Sequence, residues 1–527
     1  MIRVFSIIVL VFLFYYPAMN GEFIWDDDSY VTQNPLLSAS DGLWRIWTTS
    51  ESPQYYPIVF TSFWVEHKLW GLNPMGYHIV NILLHSANAL MVWLLLRKIK
   101  VRGAWLIGAV FALHPVHVES VAWITERKNV LSGLFYLLSL GSYMRFEENN
   151  RKPYYFSSLI LFLMALLSKT VTCSLPVAIL ILKWFKTSKI SWKDIYRLIP
   201  FLIIGAAMGL LTVKLEMHRV GAQGADWDMS ILQRILLAGN VIWFYVAKLV
   251  WPVNLTFIYP RWELDISNIF LWLRFFLVVA TGFGFWHYQN RSGRGPVAGM
   301  AFFIVTLFPA LGFFNVYPMR YSFVADHFQY LASLGVIALV IGGITGRIDR
   351  WKIINSMKNR GANNFILAGF GFTVLLVLGI LTYRQGYTYQ NMESLWRNTI
   401  IRNPGAWMAH NNLGVELEKQ GKSDEAASYF KKGIKINPYH IEAYNNLANI
   451  LDSKGKTIEA KELYEKAISI SPNQAELHYN LGILLMAEKN YLAAINHFQK
   501  VVHLKPDFKE ARQNLLTAMK KYKDSRR

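Results

Sequence analysis

Long apolar runs constrain this chain more than any other feature of its sequence. Runs of about 18–20 apolar residues recur between residues 7 and 381, and each is long enough to cross the roughly 30 Å of hydrocarbon in a bilayer as a helix. Beyond Tyr383 these runs stop and the composition becomes polar. We therefore predict an all-α protein with two parts: a polytopic membrane bundle, residues 1–386, and a water-soluble region, residues 387–527.

Basic residues indicate how the spans are oriented. Lys and Arg cluster after the second, fourth and sixth spans, and cytoplasmic loops carry such an excess. A cytoplasmic N-terminus brings all three clusters to the cytoplasm. The same bias explains the formal net charge of +20 without a nucleic-acid partner. The candidate spans are about residues 4–19, 78–97, 103–115, 130–146, 154–168, 173–186, 198–214, 267–287, 297–314, 327–346 and 364–383.

A twelfth hydrophobic stretch, residues 231–249, decides the side of everything that follows it. A basic loop within residues 347–360 is cytoplasmic only if this stretch does not cross. Arg234, Asn240 and Lys248 fit a helix that lies in the membrane interface. We therefore predict about eleven spans, with the C-terminal region on the outer side, in the periplasm or the lumen of the endoplasmic reticulum. The sequence leaves open whether the stretch crosses.

A 34-residue period organises the C-terminal region. Leu-Gly or Leu-Ala pairs, alanines, aromatic residues and prolines recur in phase. These positions are Leu413-Gly414, Leu447-Ala448 and Leu481-Gly482; Ala426, Ala460 and Ala494; Phe430, Tyr464 and Phe498; and Pro404, Pro438, Pro472 and Pro506. Small residues where paired helices touch and a proline after each second helix are the tetratricopeptide signature. We predict an α-solenoid of three repeats, about residues 407–440, 441–474 and 475–508, with a capping helix.

One face of this repeat array carries asparagine at a constant phase. Asn412, Asn446 and Asn480 occupy equivalent positions and could hydrogen-bond the backbone of an extended protein or peptide partner. Alternatively, they could serve only the contacts between helices.

Three consecutive carboxylates, Asp26, Asp27 and Asp28, follow the first span. Each charge costs roughly 2.5–3.5 kcal/mol in hydrocarbon, so the triplet lies at or beyond the membrane surface. In the predicted topology it lies in the first outer loop, residues 20–76, which is rich in Trp and Tyr. Such aromatic density favours folded helices at the interface.

Other charged and imidazole side chains recur at the same outer ends of the spans. They are His114, His117, Glu119, Glu126, Arg127, Lys128, Lys169, Arg320, Asp326 and His327. Carboxylates can take a proton from an acceptor hydroxyl, and cations can hold an anionic lipid phosphate. Sugar transfer from a lipid phosphate carrier requires both.

A metal site is the alternative interpretation of His114, His117 and Glu119, whose spacing could ligate zinc. Pro115 stiffens this turn and no thiol joins it, so we predict no metal. The single cysteine, Cys173, excludes a disulfide framework within the chain. The chain also lacks a glycine-rich phosphate loop for ATP or GTP.

The order of these motifs resembles the transmembrane and tetratricopeptide-repeat O-mannosyltransferases, a branch of the GT-C glycosyltransferase superfamily, and their bacterial relatives in particular. The matching blocks are Phe23-Ile24-Trp25-Asp26-Asp27 through Asn34, His114-Pro115-Val116-His117-Val118-Glu119-Ser120-Val121-Ala122, Arg127, Leu131-Ser132, Ser168-Lys169, Ala325-Asp326-His327-Phe328-Gln329-Tyr330 and Ser333-Leu334-Gly335. The resemblance implies a GT-C-type bundle. It also implies inverting, metal-independent transfer of mannose or another hexose from a polyprenyl- or dolichyl-phosphate donor to Ser/Thr hydroxyls of a protein, without a further cofactor.

The resemblance also implies roles for individual residues. The acidic pair of the family falls on Asp26 and Asp27, and we favour Asp27 as the general base. The second acidic position, which faces the acceptor, is Glu119 with His117 and His114. The predicted lipid-phosphate contacts are Arg127, Lys169, Arg320 and His327. Relatives often carry arginine where this chain has His327, and a neutral imidazole binds phosphate less well than a guanidinium. Arg320 would then supply the charge.

Two other functions are compatible with this organisation. A non-catalytic membrane scaffold would use the repeats to recruit outer-side proteins. A transporter would place charged residues in mid-span and contain paired interrupted helices, whereas charges here cluster at the ends of spans. We therefore expect a membrane glycosyltransferase, with the sugar, the lipid length, the acceptor and the oligomeric state undetermined.

Overall fold

The computed structural model describes residues 1–215, 217, 221, 224, 227–354 and 360–527, with side chains described outside 348–354 and 360–368. Lys358 of the predicted basic loop lies outside these residues. Within them the chain is helical and contains no strand, which confirms the all-α prediction. The fold divides into two compact units, Met1–Leu395 and Trp396–Arg527. The sequence-based boundary between residues 386 and 387 stays a prediction.

The first unit is a bundle of long apolar helices joined by short helical turns. Its α-helices are α1 (Ile2–Phe14), α2 (Tyr16–Met19), α3 (Pro35–Ser38), α4 (Gly42–Thr48), α5 (Pro57–Trp70), α6 (Pro74–Lys98), α7 (Ala104–Leu113), α8 (Val118–Ala122), α9 (Arg127–Asn149), α10 (Lys152–Leu166), α11 (Leu175–Thr187), α12 (Trp192–Leu215), α13 (Ile231–Val250), α14 (Ile269–His287), α15 (Gln289–Ser292), α16 (Gly295–Leu307), α17 (Ser333–Ile354), α18 (Arg360–Gly386) and α19 (Met392–Arg402), which continues into the second unit.

Local sequence explains where these helices begin and how closely they pack. The Asn73 carboxamide accepts the Met75 N–H at 3.1 Å and Pro74 follows at the first helical position, so these two residues cap the start of α6. A Cβ added to Gly335 would lie 2.4 Å from the Gly299 carbonyl oxygen. Glycines therefore let the backbones of α16 and α17 touch, as small residues do between membrane helices.

Five helices of the described residues are long and apolar enough to cross a membrane. They are Pro74–Lys98, Thr170–Thr187, Trp192–Leu215, Ile231–Val250 and Ile269–His287; the bent pair Ala104–Leu113 and Pro115–Ala122 would make a sixth. Shorter apolar helices include α1, α10 and α16. The membrane character is thus confirmed, while the count of about eleven spans stays a prediction.

Helix α13 covers the hydrophobic stretch whose crossing the sequence leaves open. Its polar residues suggested a helix in the membrane interface, yet its length and hydropathy suit a span. The Asn240 carboxamide accepts from Arg274 at 2.7 Å, and Arg234 donates to the Gly312 carbonyl oxygen at 2.7 Å. Because protein partners satisfy these groups, they no longer argue for an interfacial position.

The first outer loop is folded. Helices α3, α4 and α5 carry side chains that form a core with Tyr77 of α6 and Ile124. The centre of this core contains Phe60 and Phe63, both fully buried. This core can therefore hold the aspartates near the start of the loop in a fixed position.

The second unit consists of helix pairs in the predicted repeat order. The pairs are α20 (Trp407–Lys419) with α21 (Ser423–Ile436), α22 (Ile441–Ser453) with α23 (Thr457–Ile470), and α24 (Ala475–Ala487) with α25 (Tyr491–Leu504); α26 (Lys509–Asp524) follows. A Cβ added to Gly414 would lie 2.6 Å from the Phe430 ring, and one added to Gly482 would lie 2.8 Å from Phe498. The in-phase glycines and aromatics thus meet within each pair, which confirms the tetratricopeptide architecture.

Candidate active site

Asp27 anchors the first outer loop to the rest of the bundle. Its carboxylate accepts the Ile24 N–H at 2.9 Å, and the N–H and hydroxyl of Thr125 at 2.8 and 2.6 Å. The side chain is fully buried, and burial raises the pKa of Asp27 to about 7, although these hydrogen bonds favour the ionised form. Since three of about four lone-pair directions are taken, Asp27 has little capacity left for a substrate.

Asp26 differs from Asp27 in both exposure and bonding. Its side chain is half-buried, and its carboxylate accepts no hydrogen bond from the part of the chain that the structure describes. Burial raises the pKa of Asp26, and Lys128 and His327 lower it in part. Open lone pairs and a raised pKa suit a general base. The structure therefore favours Asp26 as the base, whereas the resemblance led us to favour Asp27.

The backbone just before Asp26 and Asp27 has an unusual conformation. Trp25 has φ of +50°, a region that non-glycine residues seldom occupy. Its N–H lies 3.0 Å from the Met392 sulfur, so the conformation is held by a contact far along the chain. Strained backbone of this kind clusters at functional sites.

Glu126 is the centre of a buried charge network beside Asp26. It binds the ammonium groups of Lys128 at 2.9 Å and Lys169 at 3.1 Å. The Asn129 carboxamide donates to Glu126 and accepts from Lys169 at 2.7 Å. Together these contacts hold two cations around one carboxylate at the N-terminal end of α9.

The two lysines of this network respond differently to burial. Burial alone would raise the pKa of Glu126, but His327, Lys128 and Lys169 hold it well below its usual range. Burial would lower the pKa of Lys128, but the neighbouring Glu126 outweighs this effect and the pKa is raised. Burial dominates at Lys169 and lowers its pKa to about 8. Lys128 is therefore the firmly charged member of the pair.

Glu119 and His327 form a second pair next to this network. Glu119 accepts the His327 backbone N–H at 3.1 Å and lies 2.9 Å from its Nδ1. The other ring nitrogen, Nε2, lies 3.9 Å from Glu126. The predicted acidic position and the predicted phosphate ligand are thus brought together, and His327 lies beside the carboxylate that binds the two lysines.

Asp326 lies beside this pair and has a partner of its own. Tyr259 donates to its carboxylate at 3.0 Å. Burial and the neighbouring Glu119 raise the pKa of Asp326 well above its usual range.

Aromatic rings form walls around the cations. The Lys128 ammonium lies 5.3 Å from the centre of the Tyr30 ring and 5.7 Å from that of Trp123. Trp123 also contacts the rings of His327 and Phe257. Such rings favour a cation electrostatically and exclude water from the network.

His114 and His117 have structural partners. His114 Nε2 lies 3.0 Å from the Leu249 carbonyl oxygen, while His117 contacts the Phe111 carbonyl oxygen at 2.8 Å and the Ser333 hydroxyl at 2.9 Å. Both side chains are buried, so neither faces an acceptor, and their predicted place beside Glu119 at the acceptor position is not supported. Among the described residues no group of three His, Cys, Asp or Glu could hold a metal ion.

Arg127 requires a correction. Its guanidinium is fully buried and pairs with Glu66, which it contacts with two nitrogens. It also donates to Asn81 and to the Tyr77 carbonyl oxygen at 2.9 Å. Because these partners occupy the guanidinium, the structure does not support the predicted phosphate contact and favours a structural role for Arg127.

Arg320 lies in a short helical turn between α16 and α17. It ends the helical turn Tyr317–Arg320, is exposed, and lies 5.9 Å from the centre of the Tyr321 ring. The predicted site omitted Glu126, Lys128 and Asn129. The charges of Glu126 and Lys128, which flank Arg127 at the start of a span, could have indicated these residues.

One comparison with known protein families falls on the repeats. A family model described as the tetratricopeptide repeat protein 21 C-terminal ARM domain matches residues 404–520. Among solved structures, the crystal structure of MamA protein is 21% identical, covers 25% of this chain and 71% of its own, and has a TM-score of 0.24.

Relatives among curated proteins match more of the chain. Protein O-mannosyl-transferase F38B6.6 of Caenorhabditis elegans is 26% identical over 80% of this chain and 61% of its own length. Human protein O-mannosyl-transferase TMTC1 is 25% identical over 81% of this chain and 54% of its own. The chain thus spans between about half and two thirds of the length of these relatives.

A shorter alignment is closer in sequence. Protein O-mannosyl-transferase tmtc2 of Xenopus laevis is 34% identical over 145 residues, which is 25% of this chain and 17% of that protein. The resemblance read from the motifs is confirmed: over about four-fifths of its length, this chain is similar to proteins named protein O-mannosyl-transferases.

Proposed function

We propose that the protein is an integral-membrane, GT-C-type glycosyltransferase. It moves mannose or another hexose from a polyprenyl- or dolichyl-phosphate donor to Ser/Thr hydroxyls of an outer-side protein. The observation that carries this proposal is the half-buried Asp26 carboxylate, which makes no described hydrogen bond and is influenced by the charge of Lys128. The similarity to named O-mannosyl-transferases supports the same reaction class.

The chemistry follows from this juxtaposition. Asp26 takes the proton of the acceptor hydroxyl as that oxygen attacks the anomeric carbon. The bond from this carbon to the lipid phosphate breaks, and the phosphate leaves with the electron pair. Attack from the face opposite the leaving group inverts the anomeric configuration. Lys128, Lys169 and His327 stabilise the charge that develops on the phosphate.

Asp27 acts as a positioning residue in this scheme. By binding Thr125 it fixes the loop that carries Asp26 next to the turn that carries Glu126. Glu126 in turn holds Lys128 and Lys169 in place. Preorganised charges of this kind stabilise a transition state without reorganisation during the reaction.

The acid limb of the pH–rate profile tests the base. Because burial raises the pKa of Asp26, we expect kcat/KM to fall as the pH drops through a value above about 3.9, the ordinary value for Asp. Lys128 lowers this pKa, so Lys128→Gln should move the limb to higher pH. The measurement is the pH dependence of hexose transfer in both proteins.

Lys68→Gln is the matched control, because Lys68 lies over the Trp64 ring, outside the charge network. Its acid limb should coincide with that of the wild type. If the limb of Lys128→Gln also coincided with the wild type, Asp26 would not be the group that titrates.

Sidedness completes the proposal. The aspartates would lie on the outer side if the N-terminus is cytoplasmic, as the basic clusters after spans two, four and six indicate. The repeats would lie on the same side if, as we propose, α13 does not cross the membrane. On that side the repeats would bind the acceptor polypeptide.

The asparagine face of the repeats supports a polypeptide partner. Asn446 donates to Asn411 at 3.2 Å and Asn480 donates to Asn445 at 2.8 Å. One side-chain N–H of each residue therefore forms a hydrogen bond between repeats, as the alternative interpretation of these asparagines predicted. Within the described residues the side-chain carbonyl oxygens of Asn446 and Asn480 accept no hydrogen bond, whereas that of Asn412 accepts from Asn411 at 3.2 Å. Two oriented amides of the predicted three therefore remain for an extended backbone.

The double variant Asn446→Ala/Asn480→Ala tests this face. We expect KM for a Ser/Thr-rich acceptor peptide to rise about 30-fold, since each of the two lost hydrogen bonds contributes about 1 kcal/mol, with little change in kcat. The readout is transfer as a function of peptide concentration. Asn473→Ala, at an exposed position between repeats, is the control; equal KM values for all three proteins would contradict peptide binding by the asparagines.

A further inference from the structure

A cavity of about 370 Å³ lies within the first unit, away from the charge network. It is bounded by the C-terminal half of α6 and by α9, α11, α16 and α17. Apart from Lys100, Arg102 and Ser292, all of its lining side chains are apolar or glycine. A volume of this size falls in the range of small-molecule sites, about 300–1,000 Å³, and apolar walls do not retain water.

Two basic residues line the cavity. They are Lys100 and Arg102, which follow α6. Arg102 donates to the Gly346 carbonyl oxygen at 3.3 Å, which holds its guanidinium beside α17. Two cations next to an apolar cavity among membrane helices complement a molecule with a hydrocarbon chain and an anionic head.

The position of the cavity separates it from the proposed donor site. Helix α6 has 25 residues, or about 37 Å at 1.5 Å per residue. Its Asn81, near the first end, binds Arg127 beside the active site, whereas Lys100 lies just beyond the other end. Helix α9 also joins the two sites: Lys128 of the charge network lies at its start, and Met144, near its other end, lines the cavity. The two sites therefore lie at opposite ends of the bundle.

We propose that this cavity binds a membrane phospholipid with an anionic headgroup. An acyl chain fills the apolar volume, and the headgroup phosphate binds Lys100 and Arg102. Basic residues beside membrane helices attract anionic lipid by about 1 kcal/mol each, which corresponds to roughly fivefold in affinity. The bound lipid would stabilise the packing of α16 and α17 against α6 and does not take part in transfer.

Gly343 offers a way to fill the cavity without disturbing the backbone. A Cβ added there meets no heavy atom within 4 Å, and Gly343 lines the cavity. Gly343→Leu should therefore place its side chain where the acyl chain lies. Gly284 of α14 is equally open but does not line the cavity, so Gly284→Leu is the matched control.

The experiment measures lipid retained by the full-length protein in detergent, by native mass spectrometry, with phosphatidylglycerol and phosphatidylcholine of identical chains. We expect the wild type and Gly284→Leu to retain phosphatidylglycerol preferentially. Gly343→Leu should lose both lipids, and Lys100→Gln should reduce the preference for phosphatidylglycerol about fivefold.

Three outcomes would overturn the proposal. They are equal retention of the two lipids by the wild type, equal retention by Gly343→Leu and Gly284→Leu, and displacement of phosphatidylglycerol by inorganic phosphate alone. Lys100 is exposed, so Lys100→Gln remains informative even if Gly343→Leu does not fold. Hexose transfer is not the readout, so the result is independent of the proposed function.

Discussion

Asp26→Asn should lower kcat for hexose transfer by about 10²–10⁴-fold, the range that a general base contributes. An amide cannot take the proton of the acceptor hydroxyl. Because the Asp26 carboxylate makes no described hydrogen bond, the substitution breaks no internal contact, and thermal stability should stay close to that of the wild type. The measurements are steady-state transfer from a polyprenyl-phosphate hexose and the melting temperature of the purified protein.

The same substitution at the neighbouring residues Asp27 and Asp28 provides the comparison for Asp26→Asn. Asp28→Asn changes an exposed carboxylate that accepts from the Thr32 hydroxyl at 3.0 Å, so its kcat should be near that of the wild type. Asp27→Asn disturbs the anchor to Thr125 and should lower stability as well as activity. If Asp27→Asn abolished transfer at unchanged stability while Asp26→Asn remained active, the assignment of the base would have to return to Asp27.

Arg127→Met should lower the free energy of unfolding by about 3–5 kcal/mol, because it leaves the Glu66 carboxylate buried without its partner. Replacing both members, in Arg127→Met/Glu66→Leu, removes the uncompensated charge and should restore part of the loss. Thermal or denaturant unfolding of the purified variants measures both effects.

An exposed cation provides the control for this series. Arg151→Met, just before α10, should change stability little. The original phosphate-binding interpretation predicts the opposite behaviour for Arg127→Met: normal stability with a raised KM for the lipid donor. That result would reinstate Arg127 as a substrate ligand.

The repeats were predictable because their signals are local. Gly414 and Phe430 lie within one helix pair, and the same pairing returns every 34 residues, so the register follows from the sequence. The apolar runs likewise predicted the helices of the first unit. The number and direction of the spans depend on α13, and the partners of its polar residues, such as Arg274 for Asn240, are not adjacent in sequence.

The site was predictable in part of its membership but not in its roles. Residues 26–27, Glu119, Lys169 and His327 were all selected from motifs, and their side chains belong to the bonded and charged groups described above. What separates Asp26 from Asp27 is a hydrogen bond to Thr125, 98 residues away. Such long-range pairings exhaust the bonding capacity of one side chain and leave another open, and no local pattern records them.

The most direct test of the central claim is transfer by the purified full-length protein. It would be incubated with a polyprenyl-phosphate hexose and a Ser/Thr peptide, and the product analysed by nuclear magnetic resonance. We expect hexose on the hydroxyl oxygen with inverted anomeric configuration in the wild type, and none above background with Asp26→Asn. Peptide binding without transfer would instead identify a scaffold, and transfer with retained configuration would contradict the proposed mechanism.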